Sequence, residues 1–150
     1  KQGGAITAIG NTTLQNVTIT NNISGDFRGA GILIEGGRVV IGNTIISKNS
    51  GAEITFAFGE FLSNGYNLIG DSPGDSSNTE RFVPYSSSDR LDIPPLTSDI
   101  SLFGGVIPTV ALFPGSPAIN AGSNNNVPAT DQRGSPRIIG GITDIGAFEH

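Results

Sequence analysis

Along the first seventy residues the apolar positions fall in short runs rich in Ile, Val and Thr, broken by Gly and Asn. β-Branched residues favour strands. No segment of 11 residues carries the i, i+3, i+4, i+7 apolar spacing of an amphipathic helix, so the pattern predicts short strands and tight corners. Displacing the chain by 27 positions brings Gly4 onto Gly31, Gly10 onto Gly37, Asn16 onto Asn43, Ile19 onto Ile46 and Asn22 onto Asn49. A third, fainter copy stands at Gly65-Tyr66-Asn67-Leu68-Ile69-Gly70, with Asn67 24 residues after Asn43.

A repeat this short cannot bury its own apolar face, and stacked copies can. The spacing therefore predicts an all-β solenoid of parallel strands. Leu14 is expected over Ile41 and Ile19 over Ile46 as core columns. Asn16, Asn43 and Asn67 are expected as an internal ladder, because a carboxamide both donates and accepts. Glycine is expected where a corner needs positive φ. An antiparallel sandwich also has short strands and Gly turns, but it does not call for Asn at a near-constant offset.

The chain changes character near residue 70. All nine prolines follow residue 72. We therefore divide it into the last solenoid coils at 1–70 and a capping and packing segment at 71–149, together one structural unit. Asp71–Asp92, with Ser76-Ser77 and Ser86-Ser87-Ser88, reads as a long excursion.

Charge and composition narrow the chemistry. Charged residues make up 14% of the chain, against about 25% in typical soluble proteins, so neutral Ser, Asn and Thr cover much of the surface. There is no Cys, and the single His is His150. Disulfides, Cys-ligated metals and a Ser-His-Asp triad within the chain are thereby excluded. The net charge of -5 opposes nucleic-acid binding. No apolar run approaches the ~18 residues of a membrane span. The chain holds no Met and no signal-peptide pattern, which points to a piece of a longer protein. His150, directly after Glu149, reads as the start of a purification tag.

The coils and the tail together resemble a known family. Gly3-Gly4-Ala5-Ile6 and Gly29-Ala30-Gly31-Ile32 each precede a strand-Asn-strand unit, which resembles bacterial right-handed parallel β-helix surface proteins of pectin-lyase-like fold. Gly115-Ser116-Pro117-Ala118-Ile119-Asn120-Ala121-Gly122, Asp131-Gln132-Arg133-Gly134, Arg137 and Asp144-Ile145-Gly146-Ala147-Phe148-Glu149 resemble the choice-of-anchor Q signature at the C-terminal end of such proteins. Leu102-Phe103-Gly104-Gly105 and Thr109-Val110-Ala111-Leu112 also fit. The family usually has Asp at the Asn120 position and more often His at the Val110 position. The resemblance implies a right-handed β-helix end with an irregular, Pro-rich cap, on a secreted or surface-displayed protein. It also implies Tyr66 packed beside the ladder.

Several residue groups are candidates for chemistry. Asp131, Arg133, Arg137, Asp144 and Glu149 concentrate five charges in 19 positions. Arg holds carboxylates through paired hydrogen bonds, so these residues are expected to lock an irregular tail onto the last coil, with at least one Arg buried. Ile138, Ile139, Ile142, Ile145 and Phe148 are expected to supply the apolar burial beneath it. Asp71 and Asp75 offer hard oxygens suited to Ca²⁺, without the spacing of an EF-hand. Asp26, Arg28, Glu53 and Glu60 are the residues a lyase reading would need, but they are scattered and not paired at the repeat offset. No catalytic residue, organic cofactor or other metal is assigned.

The resulting expectation is a non-catalytic structural or adhesive module, extracellular or on the cell surface, meeting polysaccharide or another surface component. The alternative is the C-terminal fragment of a polysaccharide lyase or epimerase whose active site lies upstream. The first coil is expected to leave an unpaired edge with Ile6 and Ile9 uncovered, prone to self-association.

Overall fold

The structure, a computed structural model, describes residues 4–24, 29–70 and 84–150. All regular elements among them are strands. Coil 1 comprises β1 (Ile6–Ala8), β2 (Thr12–Gln15) and β3 (Thr18–Thr20). Coil 2 comprises β4 (Ile32–Ile34), β5 (Arg38–Gly42) and β6 (Ile45–Ser47). Coil 3 comprises β7 (Ile54–Phe56), β8 (Glu60–Ser63) and β9 (Leu68–Ile69). The coils stack in parallel register into three sheets, ordered β1-β4-β7, β2-β5-β8 and β3-β6-β9. The result is a β-solenoid of about three turns, as the repeat requires.

The core columns form where the 27-residue offset places them. Leu14 pairs with Ile41 and Ile19 with Ile46. Ile32, Ile34, Val39, Ile41, Ile46, Ile54 and Ile69 are almost wholly buried between the three sheets. Each short strand sends only one or two side chains inward, so burial comes from stacking and not from any single coil.

Parallel stacking does not stop at residue 70. The short strand β10 (Arg90–Leu91) adds to β9, so part of the expected Asp71–Asp92 excursion returns to the solenoid. Residues 71–83 lie outside the described residues, as do Asp26 and Arg28. Beyond β10 the chain turns into an antiparallel hairpin, β11 (Thr97–Ser101) with β12 (Thr109–Leu112). Ala111 and Leu112 share a second core with Ile45, Leu68, Ala118, Ile145 and Phe148 on the outside of the stack.

The expected Asn16–Asn43–Asn67 ladder does not form. Asn16 and Asn43 occupy one corner column, both at positive φ (55° and 47°). Coil 3 carries one extra residue there: Ile41 pairs with Ser63, 22 residues on, whereas Ile45 pairs with Leu68, 23 residues on. Gly65 and Tyr66 therefore meet Asn43, and Asn67 stands on Thr44, whose N–H donates to the Asn67 carboxamide at 3.0 Å. Tyr66 takes the left-handed corner at φ 57° and is 41% exposed, not packed.

Two other polar columns do the work expected of the ladder. In one, Asn22 donates from its backbone N–H and its Nδ2 to Asn49 Oδ1, at 3.0 and 2.8 Å. Asn49 in turn donates to the buried Glu53 carboxylate and to the Ile19 carbonyl. The other runs Thr44, Asn67, Asp89, with Asp89 Oδ1 accepting from Asn67 N and Nδ2, each at 2.9 Å. Glu53 is thus a structural acceptor, and Glu60 lies exposed beside Arg38 at 4.0 Å. No lyase-like pairing arises between them.

At Gly37 the corner needs both positive φ (65°) and the absence of a Cβ, which would run into the Gly10 backbone of the coil before. A Cβ on Gly10 would meet nothing. Gly37→Ala is therefore expected to destabilise the fold well beyond Gly10→Ala, measured by urea denaturation. Ile41→Ala, at a fully buried column position, is expected to cost about 2–5 kcal/mol in the same assay.

Candidate functional site

The charged cluster expected at 131–149 is built by the segment after the hairpin, which has almost no regular structure. Residues 115–122 and 131–149 lie side by side, joined by Ile145 N–H to Ala118 O at 2.9 Å and Gly122 N–H to Thr143 O at 2.9 Å. They press on the outside of coils 1 and 2. Ala147 N–H donates to Thr18 Oγ1 at 3.0 Å, and Gly146 N–H to Asn43 O at 2.8 Å. A Cβ at Gly146 would crowd Thr18 and Ile45, so glycine permits this close approach.

The structure brings Asp131, Arg133, Arg137, Asp144 and Glu149 together. Asp131 accepts from Arg133 Nε at 2.9 Å and NH2 at 2.7 Å. It also takes the backbone N–H groups of Arg133, Ser135 and Glu149 at 2.8, 3.1 and 3.1 Å. The Arg133 guanidinium lies 3.6 Å from the centre of the Phe148 ring, within cation–π range. Its NH2 also donates to the Glu149 carbonyl.

Arg137 is 1% exposed. Its NH2 donates to the carbonyls of Asp144, at 2.9 Å, and Gly146, and to Asn16 Oδ1 at 3.3 Å. Its Nε stands 3.9 Å from Glu149 Oε2 without a hydrogen bond. Asp144 accepts from the N–H groups of Asn120 at 2.7 Å and His150 at 2.6 Å. Glu149 accepts from Ile139 N, Asp144 N and Thr143 Oγ1 at 3.3, 3.1 and 3.3 Å. All three carboxylates are thus spent on donors that hold loops in place.

Of the five apolar tail residues, only Ile145 and Phe148 are buried; Ile138, Ile139 and Ile142 are 43–47% exposed. The chain around them follows the hydrogen bonds to Arg137 and Glu149, and this backbone path turns their side chains to the surface. Charge, more than apolar area, fixes the tail.

Electrostatics differ along the cluster. Burial raises the Asp131 carboxyl, but hydrogen bonds from Arg133 and the Glu149 N–H, with the Arg133 charge, outweigh it and hold the pKa below the ordinary value. Burial, with the nearby Asp144 charge, leaves Glu149 raised despite its N–H donors and Arg137.

A hollow of about 350 Å³ lies beside Arg137, lined by Gln15, Asn16, Thr130 and Gln132 among others. Among the described residues no group of three or more His, Asp or Glu side chains could hold a metal ion. The calcium candidates Asp71 and Asp75 lie outside the described residues. Sequence reasoning missed Asn22, Asn49 and Asp89 as hydrogen-bonding anchors. The 27-residue match of Asn22 with Asn49 was the available signal, but nothing local distinguishes it from the Asn16–Asn43 match.

Removing one partner from a buried charge cluster costs about 3–5 kcal/mol, whereas exposed pairs are worth about 0–1 kcal/mol. Arg137→Ala is therefore expected to lower the melting temperature far more than Arg38→Ala, whose guanidinium and Glu60 partner are 53% and 75% exposed. Acid should act through Asp131. Its folded pKa is depressed, so its stabilisation is full above the unfolded value and lost as pH falls through the folded one. Asp131→Asn is expected to flatten the acid limb of the stability curve. Glu149→Gln is expected to remove a dependence of opposite sign, a gain in stability as pH falls through its raised value.

No protein-family model, no curated protein and no solved structure matches this chain.

Proposed function

We propose that the chain is a non-catalytic structural module, closing one end of a β-solenoid carried by a secreted or surface-displayed protein. One observation carries this reading. The cluster of ionisable groups at 131–149 is directed inward, with the Asp131, Asp144 and Glu149 carboxylates engaged by backbone and side-chain donors. A catalytic carboxylate needs an oxygen that substrate can reach, whereas these three are buried and every one of their oxygens already accepts a hydrogen bond from the protein. The residues concerned are those through which the chain resembles the choice-of-anchor Q domain of bacterial parallel β-helix proteins. That resemblance supports a structural part in a surface protein that meets polysaccharide or other cell-surface components.

The test is incubation of the purified chain with polygalacturonate and with alginate, each with and without Ca²⁺. No rise in unsaturated-product absorbance is expected under any of the four conditions. A steady rise abolished by Asp131→Asn or Glu149→Gln, in variants that remain folded, would overturn the reading and turn the cluster into an active site.

A further inference from the structure

The turn between β11 and β12 carries an apolar surface that the described residues leave open. Ile100, Leu102, Phe103, Val106 and Ile107 put five large apolar residues into eight positions, and all five are exposed, Val106 at 94%. Single exposed apolar side chains are ordinary, whereas a contiguous patch marks a contact surface. The turn gathers these five, because the Gly105 N–H donates to the Leu102 carbonyl at 2.8 Å. Asp99 stands just before them, and residues 100–130 contain no charged residue.

The turn is seated on the tail. A Cβ at Gly105 would come within 3.0 Å of the Arg133 Cβ, and the Phe103 ring meets Phe148 edge-on at 6.0 Å between centroids. The Arg133 guanidinium below is itself paired with Asp131 at 2.7 Å, so no free cation lies under the patch. The space beneath the turn is therefore filled, and Val106 and Ile107 are left on its outer side.

The chemistry of the patch favours lipid over protein. Binding hot spots on protein partners are built chiefly from Trp, Tyr and Arg, and residues 100–108 contain none of these. Leu, Ile, Val and Phe are the residues that pass most readily into hydrocarbon. The backbone is the usual obstacle, because lipid offers its polar groups no partners. Here the Leu102 carbonyl is taken by Gly105, the Phe103 carbonyl by Arg133 NH1 at 3.5 Å and the Pro108 carbonyl by Gln132 Nε2 at 3.1 Å. Pro108 adds no N–H.

We propose that residues 102–107 form a lipid-contacting tip that enters the interfacial layer of a bilayer of uncharged, zwitterionic lipids. The tip lies in the surface and spans nothing. Anionic leaflets attract basic segments, whereas this chain carries a net charge of -5 and sets Asp99 beside the tip, so anionic lipid weakens the contact. The proposal does not depend on the reading of the chain as a structural module, and its test involves no polysaccharide.

The chain contains no Trp, so Val106→Trp supplies a sole indole reporter at the tip. Phe58→Trp, at an exposed position in the corner between β7 and β8, is its control. Emission and flotation are measured with vesicles of phosphatidylcholine alone and of phosphatidylcholine and phosphatidylserine in equal parts. Phosphatidylcholine is expected to shift the Val106→Trp emission to shorter wavelength and to leave Phe58→Trp unchanged, and phosphatidylserine to reduce the shift. Val106→Asp is expected to lower the flotation partition coefficient about tenfold or more while melting within about 1 °C of the parent. Val106→Ser, the milder change, is expected to lower it about threefold. No shift with phosphatidylcholine, an equal shift at both Trp positions, tighter binding to the anionic vesicles or partition untouched by both Val106 substitutions would each overturn the proposal. So would a parent dimer dissociated by Val106→Asp, which would assign the patch to a second copy.

Discussion

The corners decide this fold. Along a strand each N–H meets a carbonyl of the neighbouring coil, but where the chain turns that partner is lost, and a buried unpaired N–H costs about 1–3 kcal/mol. The solenoid answers with side-chain oxygens from the next coil. Asn49 serves the Asn22 N–H, Asn67 serves Thr44, Asp89 serves Asn67, and Thr55 serves Gly29 at 3.0 Å. Short polar side chains suit this task because they reach a neighbouring amide and tolerate turn conformations. The chain's wealth of Asn, Ser and Thr thereby has a structural cause: amides and hydroxyls supply most of the corners, and the Asp89 and Glu53 carboxylates join them as acceptors for Asn67 and Asn49.

The tail obeys another rule. It has few regular hydrogen bonds and limited apolar burial, so its order depends on charged hubs that each gather several backbone groups. Asp131 collects the N–H groups of Arg133, Ser135 and Glu149, while Arg137 collects the carbonyls of Asp144 and Gly146. Hydrogen bonds to ionised groups are the stronger kind, which lets few residues hold a long irregular path. The arrangement also joins tail to solenoid, because Arg137 reaches Asn16 and Ser123 exchanges two hydrogen bonds with the Asn43 side chain.

Periodicity made the solenoid legible. Leu14 over Ile41 and Ile19 over Ile46 follow from one fixed offset, since parallel stacking repeats the same side-chain environment at each step. The place of Asn67 was not legible, because a single residue inserted near Gly65-Tyr66 shifts one column and leaves its neighbours alone. The clustering of Asp131, Arg133, Arg137, Asp144 and Glu149 could be read from charge density in a chain otherwise poor in charge. The exposure of Ile138, Ile139 and Ile142 could not, because it depends on the path imposed by distant carboxylates. The hairpin was hidden among prolines: its strands pair across a bulge between Thr97 and Ile100, and neither carries a clean alternation.

The way basic side chains are held affects resistance to proteolysis. Lys48 sits in a left-handed corner with its amine bound to Thr97. Arg137 is enclosed, Arg133 is stacked on Phe148, and Arg38 lies in the central strand of its sheet. A trypsin-like protease needs its basic residue in an unpaired, extended segment that can enter the cleft. At these four positions the folded chain denies that geometry, so cleavage there must wait for local or global opening. The same bonds that order the corners and the tail thus shelter these basic residues from digestion.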